Sequence, residues 1–328
     1  MLTVTALGRQ ELARRLAGNG VWLRAGRFTT RLQTSIPTIV DGLTLLYPDY
    51  AVLPEHSFAD FHLKLVRPWA RRWYRPQCEL LLDGRQLFQP MPLPQAMPML
   101  EWGWNWCVSS RANRFLLVHA AVLEKGGRAL IMPAPPGSGK STLTAALAGR
   151  GGWRLLSDEL TLLRLEDGLL IPNPRPVSLK NQSIDVIRRY LPDAVLSPPV
   201  TDTIKGTVAL MRAPTDSVQR GEQTAMPAWV IFPKYEAGAA TSLEPIAPAH
   251  TFMELAGNSF NYSVLGARGF QALGRLIDQV QGYRFRHGTK FIRWRDDKDP
   301  ADCTWREVLP PRDPAEAGVE ALFAGSPV

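Results

Sequence analysis

The strongest chemical signal in the sequence is Ala134-Pro-Pro-Gly137-Ser138-Gly139-Lys140-Ser141-Thr142. An apolar run precedes it and an Ala/Leu-rich stretch follows, the strand-then-helix setting of a loop that cradles nucleotide phosphates. Gly137 and Gly139 let the backbone wrap closely, so that successive N–H groups point at one anion, and a helix opening near Lys140 adds its positive end. In such a loop Pro136, Gly137, Ser138, Gly139 and Thr142 belong to the cradle. The Lys140 ammonium reaches the β- and γ-phosphate oxygens, and the Ser141 hydroxyl holds Mg²⁺. Ala134 stands where the usual motif has glycine.

A second signal, Leu155-Leu-Ser157-Asp158-Glu159-Leu160, ends the next apolar run with two carboxylates. A carboxylate there either binds magnesium or takes the proton of an attacking hydroxyl, and Asp158 is the expected carrier of both roles. Its bland alternative is a turn cap. Glu159 is expected to matter less, because adjacent strand residues face opposite ways. The third signal is His119, inside the apolar run 115–123. A histidine there is as a rule a satisfied core residue, so the order histidine, strand, phosphate loop, strand, aspartate says more than the histidine alone. Arg175, Lys180 and Lys205 complete the set. Each either clamps a phosphate oxygen or is a solvated strand-end charge.

These residues need elements to hold them. Up to about residue 112 the chain shows short alternating runs at 21–28, 58–66 and 78–82, read as strands, with Asp83-Gly84 as a hairpin turn. A proline-rich stretch follows, then 99–108, which reads as a buried helix although its three tryptophans at alternate positions also fit a strand. From Arg114 the rhythm lengthens: strands at 115–123, 128–132 and 153–156, a helix over 140–148, and a hairpin across Asp167-Gly168. Later strands fall at 207–211 and 229–232, and helices at 183–190, 251–256 and 270–280. The expected fold class is α/β (α+β). A smaller mixed, β-rich N-terminal domain over 1–112 leads into a nucleotide-binding domain over 113–295, and a flexible polar tail over 296–328 follows.

Composition narrows the function classes. The 328 residues are 45% apolar and 21% charged, ordinary values for a globular protein. No run is long and apolar enough for a membrane span, so a membrane partner is not expected. The N-terminus lacks a signal-peptide pattern, and Cys78, Cys107 and Cys303 suit neither a disulfide framework nor a zinc site; both observations point to the cytoplasm. The net charge of +8 invites acidic or phosphorylated partners. Four arginines and three aromatics interleave over 67–75, a mixture that suits single-stranded nucleic acid. Without any nucleic-acid-binding signature, the expected reading is a solvated loop whose arginines stack on their neighbours.

From His119 through Glu159 the chain resembles the core of bacterial HPr kinase/phosphorylase, which shares its nucleotide-binding architecture with phosphoenolpyruvate carboxykinase. Over about residues 21 to 286 it resembles the HPr kinase-related family called kinase A. The matching stretches are Leu100-Glu-Trp-Gly-Trp-Asn-Trp-Cys, His119-Ala-Ala-Val-Leu, Pro133-Ala-Pro-Pro-Gly-Ser-Gly-Lys-Ser-Thr and Leu155-Leu-Ser-Asp-Glu-Leu. Further on come Pro174-Arg-Pro-Val-Ser-Leu-Lys-Asn181, Lys205-Gly-Thr-Val, Trp229-Val-Ile-Phe-Pro-Lys-Tyr235 and Asn258-Ser-Phe-Asn-Tyr262.

The resemblance implies an HPr kinase C-terminal-domain-like core that binds ATP and Mg²⁺ and phosphorylates serine. Asp158 then falls on the proton-accepting position, with His119, Lys140 and Ser141 on the other core positions and Glu159 on a second acidic one. It also implies a peptide or small-protein acceptor and a PqqD-like peptide chaperone as partner, with homo-oligomerisation left open. A small-molecule kinase and a weakly hydrolysing nucleotide-dependent scaffold are the alternatives. One departure matters. Where HPr kinase has a metal-binding glutamate and an arginine, this chain has Ser178-Leu-Lys180-Asn181. The resemblance therefore implies forward transfer without appreciable phosphorolysis.

Overall fold

A computed structural model describes residues 1–69, 74–135, 137–150 and 152–288. Thr3 accepts a hydrogen bond from the Ala6 N–H and caps α1 (Val4–Leu7), which leads into α2 (Arg9–Ala17). The hairpin β1 (Val21–Ala25) and β2 (Phe28–Thr34) follows. Next, α3 (Pro37–Leu46) opens with proline, whose missing N–H costs nothing there, and buries Ile39, Val40, Leu43 and Leu46 at helical spacing. Then come β3 (Ala51–Leu53), β4 (Phe61–Val66), β5 (Gln77–Leu82), β6 (Arg85–Gln86), β7 (Met91–Pro92) and the long helix α4 (Ala96–Arg111). The strands pair in the order β3-β1-β2-β4-β5-β6, with β7 on β5; β2 and β4 run parallel and the other pairs antiparallel.

Several expectations hold here and two do not. Asp83 and Gly84, both with positive φ, turn β5 into β6 as a two-residue hairpin. The run 21–28 is not one strand: the chain reverses at Gly26, where φ is 54° and the Pro172 carbonyl leaves no room for a Cβ. Nor do strands alone fill the chain before residue 99: α1, α2 and α3 also lie there, and α3 carries its apolar residues at helical spacing. Of the basic-aromatic cluster, residues 70–73 lie outside the described residues. Beside them Trp69 and Tyr74 are exposed, and the Arg75 guanidinium lies over the Tyr74 ring, as expected. The tail over 296–328, with Cys303, also lies outside the described residues.

The rest of the chain runs β8 (Phe115–Val118), β9 (Ala120–Lys125), β10 (Arg128–Pro133), α5 (Lys140–Arg150), β11 (Arg154–Ser157), β12 (Thr161–Arg164) and β13 (Leu170–Ile171). It continues through β14 (Val177–Lys180), α6 (Gln182–Tyr190), β15 (Val200–Thr203), β16 (Gly206–Met211), α7 (Thr215–Gln219) and β17 (Met226–Tyr235). The described part ends with β18 (Ser242–Ile246), α8 (Pro248–Gly257), α9 (Tyr262–Leu265), α10 (Ala267–Ile277) and β19 (Gln281–His287). A six-stranded sheet has the order β11-β9-β10-β17-β19-β18. Both β10 and β11 are antiparallel to β9, so they run in the same direction and end on the same edge of the sheet. Among the described residues, no helix is long and apolar enough to cross a membrane.

Strand alternation divides β9 and β10 between two cores. Ala121, Leu123, Leu130 and Met132 pack against α5 and α6, whereas Ala120, Val122, Ala129 and Ile131 pack against α8 and α10. A sheet covered on both faces gives continuous apolar runs, which explains why 115–123 reads as a single strand. It is two: β8 leaves the sheet of β9 and pairs with β12, and His119 sits at the break. A third core joins the N-terminal sheet and α4 to Phe115 and Leu117 of β8, to Leu160 and Leu162, and to Leu210 of β16.

One buried ion pair ties β9 to β11. Glu124 accepts from Arg154 Nε at 2.5 Å and from the Gly127 N–H at 2.6 Å, while Arg154 Nη1 donates to the Arg220 and Gln223 carbonyls. Their side chains are 2% and 3% exposed, so removing one partner strands the other's charge. Glu124→Ala is expected to lower stability by about 3–5 kcal/mol, read as an earlier urea midpoint with unchanged slope.

Candidate active site

The turn between β10 and α5 begins at the end of a strand held on both sides, by β9 and β17. Gly137 and Gly139 both have φ of 86°, open to glycine at little cost. The Tyr235 N–H donates to the Ser138 carbonyl at 3.0 Å, which fixes the turn to the end of β17. A Cβ on Gly139 would stand 3.1 Å from the His287 imidazole and 3.2 Å from Tyr235 Cβ, so close approach as well as φ demands glycine there. The first N–H groups of α5 have no intrahelical acceptor and face the same opening. Together these elements wall a cleft of about 690 Å³.

His119, Gly137, Ser138, Gly139, Lys140, Ser141, Thr142, Glu159 and Lys180 all line this cleft. Pro136 lies outside the described residues. Lys140 is buried and its Nζ donates to the Asp158 carbonyl at 3.2 Å, which draws the α5 start against the end of β11. Ser141 Oγ donates to Asp158 Oδ2 at 3.3 Å, and the Ser178 N–H donates to the same oxygen at 3.0 Å. Burial raises the Asp158 pKa above the ordinary carboxylate range, against the opposing field of Lys140.

The acidic pair departs from strand alternation. Because β11 ends at Ser157, Asp158 and Glu159 occupy a bend and not the strand. Asp158 turns inward, while Glu159 does not face away but reaches the cleft, 3.4 Å from His119 Nε2 and 4.0 Å from Lys180 Nζ. Burial works against the Glu159 charge, yet the bond to His119 and the fields of Lys140, Lys180 and Lys205 hold its carboxyl well below the usual range. His119 is likewise no core histidine. Its N–H donates to the Asn258 carbonyl, its ring lies 5.8 Å from that of the exposed Phe260, and its side chain is 31% exposed.

The basic candidates separate. Lys180 ends β14, beside Asn181 with its φ of 51°. Lys205, on the turn between β15 and β16, does not line the cleft; its ammonium lies 5.2 Å from the Trp102 ring. Arg175 is not in the phosphate cleft. It is buried against α4, where it donates to Glu101 at 3.2 Å and to Asn105, and Glu101 also accepts from Tyr47. The flanking prolines make Arg175 rigid, but its direction is set by the buried Glu101, which the sequence does not reveal.

Sequence reasoning missed Val186 and Arg189 of α6, Tyr235 and His287, which complete the cleft. The last two sit at the ends of the parallel strands β17 and β19, the side on which the α5 turn opens, so strand direction was the usable signal. Burial lowers the His287 pKa from 6.5 to about 4. Between those values the unfolded chain takes up a proton that the folded one refuses, so stability falls as pH drops from about 6.5 to 4. Replacement by glutamine is expected to remove on the order of 3 kcal/mol of that dependence, measured as the difference between the two proteins' urea midpoints across this pH range.

Ser141 and Asp158 fit a magnesium ion. Two protein oxygens suffice for an ion that keeps several waters and takes the rest of its shell from substrate phosphates. No group of three or more His, Cys, Asp or Glu side chains suited to a metal occurs among the described residues. No family model matches the chain. Over 34 residues the chain is 47% identical to DNA ligase C1 of Mycolicibacterium smegmatis (strain ATCC 700084 / mc(2)155), a stretch that covers 10% of each protein. The chain thus spans about a tenth of the length of that curated relative, too little to carry a fold or an activity across.

Proposed function

We propose that the protein is an ATP-dependent phosphotransferase of the HPr kinase-like kind, built on a P-loop core, that transfers the γ-phosphoryl group to a hydroxyl. The observation that carries this reading is the convergence, at one edge of the sheet, of the glycine turn, Lys140, the Ser141–Asp158 pair and the Glu159–His119 pair. The turn amides and Lys140 bind the triphosphate and neutralise its charge. Ser141 and Asp158 hold Mg²⁺, which when bound spreads the charge of the transferred group. Glu159, ionised and open to the cleft, accepts the acceptor's hydroxyl proton as that oxygen bonds to the γ-phosphorus and the bond to the β-phosphate oxygen breaks. His119 keeps the Glu159 carboxylate in place. Of the two roles expected of Asp158, it keeps the metal role in this reading and the base role passes to Glu159.

The acceptor in this reading is a serine of a peptide or small protein, delivered in a peptide-modifying pathway in the cytoplasm with a PqqD-like chaperone as partner. Trp102, with Lys205 above it, and the exposed Trp106 on α4 favour an extended peptide over a small molecule. Incubation with labelled ATP, Mg²⁺ and candidate peptides tests the reading. Label is expected on peptide serine in excess of free phosphate, and label only in free phosphate would move the assignment to an ATP-hydrolysing scaffold.

A further inference from the structure

Beside Asp158 lies a small cavity of about 20 Å³, which shares Glu159 and Ser178 with the walls of the cleft. Its walls include Asp158, Asn173, Glu101, Asn105 and Arg175. Two of its polar atoms, Asp158 Oδ1 and Asn173 Nδ2, are buried and have no hydrogen-bond partner among the described residues. The residues that carry them are 4% and 3% exposed. One is an acceptor and the other a donor. A water molecule needs about 10–15 Å³ of such space and two or more polar partners.

We propose that this cavity holds one structural water, which donates to Asp158 Oδ1 and accepts from Asn173 Nδ2, and that this water thereby positions the Asp158 carboxylate. The other oxygen of Asp158 already accepts from Ser141 Oγ and the Ser178 N–H. A carboxylate held at one oxygen only can swing about its last torsion, and held at both it cannot. Asn173 is well placed to fix the water, because its own N–H donates to the Leu156 carbonyl at 2.8 Å. That carbonyl belongs to β11, the strand that ends immediately before Asp158, so the amide and the carboxylate are set on one frame. Across the cavity, the Arg175–Glu101 pair closes the wall and leaves room for a single small polar guest. A bare cation fits poorly beside the Arg175 guanidinium.

The inference rests on the proposed nucleotide site only for its catalytic consequence, so the deciding measurements do not need turnover. A high-resolution crystal structure of the full chain without nucleotide is expected to show water density within about 2.7–3.2 Å of both orphan atoms. A dry cavity would overturn the proposal. Asn173→Leu fills the space and expels the water, whereas Asn173→Ala leaves room for it. In crystals of the leucine variant the Asp158 carboxylate is expected to leave the Ser178 N–H, and in the alanine variant to keep it. Equal displacement in both, or in neither, would show that the water does not position Asp158. If the leucine variant fails to fold, the alanine variant decides alone: loss of the Ser178 contact with water still present sinks the idea. If the wild type binds ATP and Mg²⁺, the leucine variant is further expected to weaken apparent Mg²⁺ affinity about 10–100-fold and the alanine variant to stay near wild type, with KM for the acceptor unchanged in both. Failure of the wild type to bind ATP would remove the proposed function and leave the crystallographic result standing.

Discussion

Replacing Lys140 with alanine is expected to cost about 10²–10³-fold in turnover and to weaken ATP binding, with the fold retained. The ammonium is buried at the floor of the cleft, held against the Asp158 carbonyl at 3.2 Å. In the proposed complex it faces the most highly charged part of the ligand in a site that largely excludes water, where a single donor is worth far more than at the surface. Because the Asp158 carbonyl loses its donor and Asp158 and Glu159 lose a neighbouring cation, a lowered melting temperature with the cooperative transition retained is expected. Calorimetric titration with ATP and Mg²⁺, beside a thermal melt, checks both halves. Wild-type affinity together with wild-type turnover would remove the phosphate-loop assignment.

The second large effect separates the two neighbouring carboxylates. Glu159→Gln keeps the shape and removes the charge that faces the cleft, so phosphoryl transfer is expected to fall by about 10²–10⁴-fold while ATP still binds. Asp158→Asn is expected to fail differently. It removes the negative charge beside Ser141 while an amide oxygen can still accept from the Ser178 N–H, so its loss concentrates in Mg²⁺ dependence, and raising the metal concentration recovers part of the rate. Single-turnover measurements over a magnesium series distinguish the two patterns. A near-normal Glu159 variant beside an Asp158 variant that no amount of magnesium restores would return the base role to Asp158, as strand alternation alone would have it.

That second contrast marks where the sequence stops being readable. The strand, glycine turn and helix at 128–150 are legible because each signal is local: an apolar run, two glycines where the backbone must turn, and a helix-forming stretch opened by Lys140. The split of 115–123 at His119 is not, because both halves are buried on both faces and the change of partners from β12 to β10 and β11 leaves no mark in composition. The bend at Asp158 escapes for a related reason, since pairing stops at Ser157 and the types of Asp158 and Glu159 do not show which way the chain then turns. Arg175 was drawn toward the phosphates by its charge, yet its partner Glu101 lies on a helix whose tryptophans hide which face is polar. Tyr235 and His287 come to the cleft only through the parallel pairing of β17 and β19, which is a property of the whole sheet.

The core shared between the N-terminal sheet and the strands β8, β12 and β16 has a bearing on how this protein can be taken apart. Leu117, Leu162 and Leu210 have their apolar faces covered by residues from the first hundred or so positions, and Arg175 has its only carboxylate partner there among the described residues. A fragment beginning at residue 113 would carry the whole glycine turn and both acidic residues, but with an oily face and an orphaned guanidinium turned to water. The N-terminal part is in this sense a wall of the part that carries the cleft and not a detachable cassette. Exchanging it for another N-terminal part would require the matching apolar surface to travel with it, which ties the sequence of helix α4 to that of β8, β12 and β16.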